Sequence, residues 1–281
     1  MKISIIGSGV VGKATGMGFN DFGNQVIFYD INGQTLTALE NKGHTVTENM
    51  SEAISNSKVS FICVPTPTRS GKMDLTYMKK ATINIARSLR EKNVYHLTVI
   101  RSTVLPSTTR TKIVPLIEKH SKLKAGQEFG VCCNPEFARE ASTLEDFLNS
   151  SRIVIGELDK RSGDLLESLY TSFKAPIIRT DLDTAEMIKY VANCFLATKI
   201  SYFNEVYLIS KKLGLDPDLI AKAVALDPRI GDYGIYGGRP FGGKCLPKDL
   251  EAFINLAISK KIDPKLLRSV KYVNKKISRE N

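Results

Sequence analysis

The sequence predicts an α/β chain, a doubly wound parallel sheet over residues 1–180 followed by an all-helical domain over residues 181–281. Three observations predict it. Short β-branched apolar runs alternate with helical stretches as far as Gly156, and a glycine-rich turn joins the first run to the first helix. After Asp183 the short runs stop and a long helical periodicity takes over.

Lys2-Ile3-Ser4-Ile5-Ile6 reads as a buried parallel strand. It runs into Gly7-Ser8-Gly9-Val10-Val11-Gly12 and a helix through Ala14, Met17 and Phe19. Gln25-Val26-Ile27-Phe28-Tyr29 is the second strand, with Asp30 at its carboxyl end. Strand, glycine turn, helix, strand and acid in this order form the Rossmann dinucleotide fingerprint. Gly7 makes the turn, Gly9 lets the backbone approach a pyrophosphate, and Gly12 permits tight packing of helix on strand. The helix N-terminus at Val10 and Val11 faces the phosphates. Asp30 accepts hydrogen bonds from a ribose and repels a 2′-phosphate, which selects NAD over NADP.

Val59–Val64 is the third strand and ends in Pro65-Thr66-Pro67. Leu97–Thr103 is the fourth, followed by a helix near 107–119; Phe129–Cys133 is the fifth and Arg152–Gly156 the sixth. Ligands of open α/β sheets bind beyond such carboxyl ends. From Ala185 to about Leu213 one apolar periodicity is threaded with Glu186, Lys189, Tyr190, Asn193, Lys199 and Asn204.

The most informative stretch is Pro240-Phe241-Gly242-Gly243-Lys244-Cys245-Leu246-Pro247-Lys248-Asp249. It sets one cysteine after a glycine-rich turn, with a lysine and an aspartate just beyond. Nearby positive charge and a helix N-terminus favour a nucleophilic thiolate. The five cysteines (Cys63, Cys132, Cys133, Cys194, Cys245) lack paired metal spacing, and four of them lie in apolar contexts, as in a reducing, cytoplasmic compartment. Three scattered histidines suggest neither a metal site nor a Ser-His-Asp triad. No apolar run approaches a membrane span, and the chain opens on a strand rather than a signal sequence.

The net charge of +11 comes from 40 basic and 29 acidic residues. Between Lys260 and Asn281 eight Lys/Arg face two Asp/Glu, but they alternate with Leu266, Leu267, Val270, Val273 and Ile277 at helical spacing. That tail reads as a solvated amphipathic helix rather than a nucleic-acid or membrane arm, and the remaining excess suits anionic small ligands.

Together these residues resemble the UDP-glucose/GDP-mannose dehydrogenase family, from Met1 to roughly Phe253. The matching blocks are Val64-Pro65-Thr66-Pro67, Ser102-Thr103-Val104, Asn134-Pro135-Glu136-Phe137 with Arg139-Glu140, and Ser151–Gly156. They continue with Glu186, Lys189, Asn193 and Asn204-Glu205, then Arg229-Ile230-Gly231 and the cysteine loop. The resemblance implies a helical domain of the 6-phosphogluconate-dehydrogenase type and oxidation of a nucleotide sugar's C6 alcohol to the carboxylate by NAD. It implies that Cys245 forms a thiohemiacetal and then a thioester. Lys189 and Asn193 would stabilise the oxyanions, Asp249 with Thr103 would position a water or proton partner, and Glu136 would be the base of thioester hydrolysis. Thr103, Glu140 and Lys248 would lie on the cofactor side. Glu136, Phe137, Lys189 and Asn193 would also meet the substrate. Gly234-Ile235-Tyr236-Gly237-Gly238 with Gly242 would wrap the sugar and diphosphate, and Arg229 would reach the nucleotide's phosphates across a dimer.

The resemblance further implies a homodimer built on the helix from about 185 to 213. Family members usually continue into a second Rossmann-like domain, so the chain is expected to be a shortened form, one half of a split enzyme, or a naturally short one. UDP-glucose is the first choice of substrate, ahead of UDP-N-acetylhexosamines and GDP-mannose. Two other classes remain: a non-catalytic NAD-binding module that needs a partner chain, and a two-electron dehydrogenase of the 6-phosphogluconate or β-hydroxyacid type, which needs no cysteine.

Overall fold

The alternating apolar runs of the first half resolve into strands and covering helices, in a computed structural model that describes residues 1–69, 71–92 and 94–280. The last residue of the basic segment, Asn281, lies outside the described residues. First come β1 (Lys2–Ile6), α1 (Val10–Asp21), β2 (Gln25–Tyr29), α2 (Gly33–Glu40), β3 (Thr45–Thr47), α3 (Met50–Ser55) and β4 (Val59–Ile62). Asn32 and Asn49 cap α2 and α3 by accepting backbone N–H bonds at their first turns. After the hairpin β5 (Thr68–Arg69) and β6 (Lys72–Met73) come α4 (Thr76–Arg90), β7 (His96–Ile100), a π turn at Thr109–Ile113, α5 (Val114–Ser121) and β8 (Phe129–Cys133). The chain continues with α6 (Thr143–Leu148), β9 (Ile153–Glu157), α7 (Lys160–Glu167), β10 (Ile177–Asp181) and α8 (Leu182–Lys212). It ends with α9 (Pro217–Val224), α10 (Leu246–Ser259) and α11 (Lys265–Glu280).

The main sheet has the order β10-β9-β8-β7-β4-β1-β2-β3. The six strands from β3 to β8 follow the Rossmann order, and the order reverses between β1 and β4, where such folds bind their ligands. One junction departs from the expected wholly parallel sheet: β9 runs antiparallel to β8. The connection from β8 to β9 stays at the carboxyl edge, where α6 docks on α1 and Phe147 meets Phe19 with ring centroids 5.2 Å apart. The next strand therefore re-enters from the edge where β8 left.

Boundaries shift by a few residues. The third strand stops at Ile62, the fourth is His96–Ile100, the sixth is Ile153–Glu157, and the helix near 107–119 opens as a π turn. The short β3, the hairpin and β10 escaped the sequence reading because none shows a clear apolar alternation.

The chain packs as two compact units. The first is Met1–Pro67 with Asp74–Lys189, and the second is Thr68–Met73 with Tyr190–Asn281. The first unit's core gathers Phe19, Phe61, Phe147, Tyr170 and Phe173 under the sheet. In the second unit Cys194, Ala197, Phe241, Leu250, Ile254 and Val270 form the core, and the hairpin joins it as Thr68 Oγ1 donates to Lys248 O at 3.3 Å. No helix among the described residues is long and apolar enough to cross a membrane.

Two buried titratable groups make the first unit's stability depend on pH. His96 lies at the start of β7 in a chain of hydroxyls, with Ser60 Oγ at 2.7 Å from Nε2 and Lys92 Nζ at 3.0 Å from Nδ1. Burial, and then the Lys92 charge, push its imidazole down to about 3. Glu186, on the first turns of α8, accepts Thr109 N–H at 2.8 Å and so caps the π turn, while its other oxygen has no hydrogen-bond partner. Burial pushes this carboxyl up to about 7. A carboxyl raised in the fold contributes stability that is complete below its unfolded value and is lost as pH rises through about 7. Glu186→Gln removes that titration. Between pH 5 and pH 8 the stability difference should therefore move in favour of the variant by about 2–3 kcal/mol. Urea unfolding of both proteins across that range measures it, and parallel curves would refute the assignment.

Candidate active site

The glycine turn after β1 fits a dinucleotide. Gly7 adopts φ +97°, and a Cβ on Gly12 would lie 2.0 Å from Gly7 O, so only glycine lets α1 start this close to the strand. A Cβ on Gly9 would meet nothing within 4 Å, which leaves an open cradle at the turn. No side chain caps α1, so the N–H groups around Val10 and Val11 are available to an anion. Asp30 steadies the turn by accepting Ser8 N–H at 2.6 Å and Asn32 N–H at 2.9 Å, and each oxygen keeps a lone pair for a ribose hydroxyl. Beyond the switch point, Thr66 Oγ1 donates to Thr103 O at 2.6 Å and ties the ends of β4 and β7 together.

Past the end of β8, Glu136 and Lys189 are brought together and buried. Lys189 Nζ lies 3.0 Å from Glu136 Oε1, the two side chains being 4% and 9% exposed. Burial pushes the Glu136 carboxyl up, but the Lys189 charge and hydrogen bond, the Arg101 charge and the Ala138 N–H outweigh it and hold it below the ordinary range. Phe137 stacks under the Arg152 guanidinium, 3.8 Å from ring centroid to Cζ, with Lys189 Nζ at 5.4 Å. The antiparallel entry of β9 is what delivers Arg152 to this place.

In the second unit Cys245 stands at the amino end of α10. It is the exposed cysteine of the five. Burial raises the thiols of Cys63 and Cys194 to about 12, and those of Cys132 and Cys133 well above the ordinary value. One turn on, Asp249 is 1% exposed and accepts from Asn193 Nδ2 at 2.7 Å and from Lys248 Nζ at 2.5 Å. Lys248, expected on the cofactor side, thus pairs with the aspartate. Asn193 follows Lys189 by one turn of α8, so both side chains leave the same helical face.

The loop after α9 lies flat on α8. A Cβ on Gly237 would come within 2.5 Å of Phe203 O, while Ile235 is buried with Phe203 and Ala221, and Tyr236 is exposed. Gly234 and Gly238 take positive φ, and Gly242 stands in open space. Arg229 joins none of these groups: its exposed guanidinium pairs with Asp227, Nη2 to Oδ2 at 2.5 Å. Glu140 opens an exposed 3-10 turn beside the Arg139–Asp146 ion pair.

Two family models match this chain. The NAD-binding domain of the UDP-glucose/GDP-mannose dehydrogenase family covers residues 1–52 and 37–174, and the family's central domain covers 183–276. The chain belongs to that family. It is 38% identical to the GDP-mannose 6-dehydrogenase of Pseudomonas syringae pv. tomato, over 96% of this chain and 67% of the relative. With the UDP-glucose 6-dehydrogenase TuaD of Bacillus subtilis it shares 37%, over 98% of this chain and 63% of that one. The structure of a UDP-glucose dehydrogenase from Pyrobaculum islandicum superposes with a TM-score of 0.93 at 35% identity, covering 99% of this chain and 68% of that one. The chain thus spans about two thirds of the length of these relatives. Its first unit carries the family's NAD-binding domain, and the residues of the glycine turn are those that would hold NAD.

Arg101, near the end of the fourth strand, and Arg152, at the head of the sixth, have no role that the sequence alone assigns. Arg101, 7% exposed, donates from Nη1 to Asn134 Oδ1 at 2.7 Å and to Asn134 O at 3.1 Å, and Tyr170 donates to the same Oδ1 at 2.5 Å. This dehydrogenase-family chain therefore keeps a buried cation behind Glu136. A guanidinium closing an apolar strand was the available signal, but its partners come from other strands.

Breaking one side of a buried ion pair strands the other charge. Lys189→Met should destabilise the first unit by about 3–5 kcal/mol, and the double variant Glu136→Gln/Lys189→Met should recover most of it. Denaturant unfolding of the wild type, Glu136→Gln, Lys189→Met and the double variant tests this; equal losses in Lys189→Met and the double variant would exclude the coupling.

Proposed function

We propose that this chain carries the catalytic centre of a nucleotide-sugar 6-dehydrogenase that oxidises a C6 alcohol to the carboxylate through Cys245, with UDP-glucose as the favoured substrate. The observation that carries this reading is the setting of Cys245. It is an exposed thiol at a helix N-terminus, one turn before a buried aspartate bound by Asn193, on the helix that also bears Lys189.

Gly7–Gly12 and Asp30, with Thr103 and Glu140, would hold NAD, which would supply the hydride acceptor for each of two oxidations. Lys189 and Asn193 donate hydrogen bonds to the C6 oxygen as negative charge develops on it. Asp249, its own charge shared with Lys248, takes up the alcohol's proton through a water. Cys245 Sγ then attacks the aldehyde carbon, forming a C–S bond and placing the electron pair on oxygen. Loss of the second hydride leaves a thioester on Sγ. Glu136, kept anionic by Lys189 and Arg101, takes a proton from the water that adds to that carbon. The C–S bond breaks, the thiolate departs with its electron pair, and the carboxylate is released.

The positive end of α10, with Lys244 and Lys248 beside it, supports a thiolate at Cys245. In this reading Phe137 walls the sugar, the Gly234–Gly238 loop with Gly242 wraps sugar and diphosphate, and Arg229 turns from Asp227 to the nucleotide's phosphates. A homodimer through α8 belongs to the same proposal, with Arg229 reaching across it. Val191, Phe195, Tyr202 and Ile209 along that helix, with Leu213 just past its end, are each at least half exposed, an apolar stripe suited to a second copy. The buried settings of Cys132, Cys133 and Cys194 support a reducing compartment, the cytoplasm. A second substrate, GDP-mannose, is favoured by the Pseudomonas relative.

The decisive assay counts NADH formed per nucleotide sugar consumed, with UDP-glucose, GDP-mannose and UDP-N-acetylhexosamines, for wild type and Cys245→Ala. About two NADH per sugar are expected, with acid formation falling on the order of 10³-fold or more in the variant. One NADH, unchanged by the substitution, would mean a simple alcohol dehydrogenase. Sedimentation should give a dimer that Phe195→Glu/Tyr202→Glu converts to monomer; a monomeric wild type would remove the dimer from the proposal.

A further inference from the structure

From Gly231 to Cys245 the described backbone forms neither helix nor strand, and six glycines (Gly231, Gly234, Gly237, Gly238, Gly242 and Gly243) loosen it further. Backbone amides in such a segment need partners, or the segment does not keep one shape. Two asparagines from different helices supply them. Asn204 of α8, fully buried, accepts Gly238 N–H at 2.8 Å and donates to Arg239 O at 3.0 Å. Asn274 of α11 accepts Phe241 N–H at 2.8 Å and donates to Phe241 O at 3.1 Å. A side-chain amide carries one acceptor and two donors at a fixed spacing, so each asparagine acts as a short length of partner strand. The two grip the loop on either side of Pro240, which has no N–H of its own to satisfy.

The two grips serve different ends of the loop. Asn204 fixes Gly238 and Arg239, next to the glycines assigned above to sugar and diphosphate. Asn274 fixes Phe241, whose ring is buried against Leu250, Ile254 and Val270. After Phe241, Gly242, Gly243, Lys244 and Cys245 are all exposed. Phe241 is therefore the last buried residue before the thiol on the loop side, and on the helix side Asp249 N–H donates to Cys245 O at 2.9 Å. Asn274 sits on the amphipathic, basic helix that the sequence presents as a solvated face; its amide instead points into the second unit.

We propose that Asn204 and Asn274 are positioning residues of the cysteine loop, Asn204 setting the shape that receives the nucleotide sugar and Asn274 setting the place of the Cys245 sulfur. This rests on the reading of Cys245 and its loop given above. Neither asparagine needs to touch the reacting atoms. A displacement of about 1 Å in a nucleophile is enough to cost on the order of 100-fold in rate.

The test uses the full chain with NAD and the variants Asn204→Leu, Asn274→Leu and Asn274→Asp. Three quantities are read: KM and kcat for the nucleotide sugar, the rate at which iodoacetamide alkylates Cys245 (followed by mass spectrometry of its peptide), and the melting temperature. Asn274→Leu should lower kcat by about 10–100-fold with KM nearly unchanged. It should also change the alkylation rate by about threefold or more. Asn204→Leu should raise KM about tenfold while Cys245 is alkylated at the wild-type rate. Asn274→Asp keeps the acceptor for Phe241 N–H and loses the donor, so its shifts should have the same sign and smaller size; it replaces the leucine variant if that one does not fold. A purely structural role moves kcat, KM and melting temperature together in both variants, and that outcome overturns the proposal, as does wild-type alkylation in Asn274→Leu. If the wild type oxidises no nucleotide sugar, the dehydrogenase reading fails, and the alkylation rates still decide whether Asn274 positions the thiol.

Discussion

Lys189 is an ammonium taken almost wholly out of water, and its answering charge is Glu136. An isolated buried charge costs several kcal/mol, on the order of what holds a whole domain together, so the groups around this pair are tightly constrained. Glu136 must stay ionised, and Lys189, the Arg101 charge and the Ala138 N–H all favour that form. Arg101 in turn needs acceptors, which Asn134 supplies from its side chain and its carbonyl, with Tyr170 closing the group from behind. The turn after β8 is rigid for this reason, although it belongs to no regular element.

The same pair explains why a stabilising contact can serve a reaction. A buried ion pair is seldom the most stable solution for its volume, and an apolar replacement often does as well. What it provides is an ionised carboxylate and an ammonium, both desolvated before any ligand arrives, which in the proposed reaction would act as base and donor. Glu186 illustrates the opposite arrangement three residues before Lys189 on α8. Burial pushes its carboxyl up to about 7, although the hydrogen bond from Thr109 N–H favours the ionised form.

Irregular backbone forms most of the candidate site, and side chains rather than ladders satisfy it. Asn134, Asn204 and Asn274 each place one amide against main-chain or buried polar groups. Thr66 and Ser102 do likewise at the ends of β4 and β7. These residues are short and stiff, so they fix position with little loss of rotamer freedom.

Much of the fold was legible because its signals are local. Gly7-Ser8-Gly9-Val10-Val11-Gly12 between two apolar runs, with Asp30 after the second, specifies strand, turn and helix through contacts close along the chain. The long periodicity to Leu213 likewise announced α8, since a helix is written every three to four residues. The parallel order β2-β1-β4-β7-β8 is the one that right-handed crossovers give. By contrast, the antiparallel β9 depends on where α6 docks, and β3 and β10 are too short or too polar to declare themselves.

The residue types of the site were equally readable, since Cys245, Asp249, Lys189, Asn193 and Glu136 stand in recognisable blocks. Their partners were not. Lys189 finds Glu136 across 53 residues, Asn193 finds Asp249 across 56, and Asn274 reaches Phe241 across 33. By itself, then, the sequence determined the glycine turn, the helical periodicity and which side chains stand in the family's blocks, because each is set by neighbours within a turn or two. Only the tertiary structure decided which charges meet, which thiol stays exposed and which amides grip the cysteine loop. Those outcomes depend on burial and on hydrogen bonds between distant segments, and no local pattern encodes them.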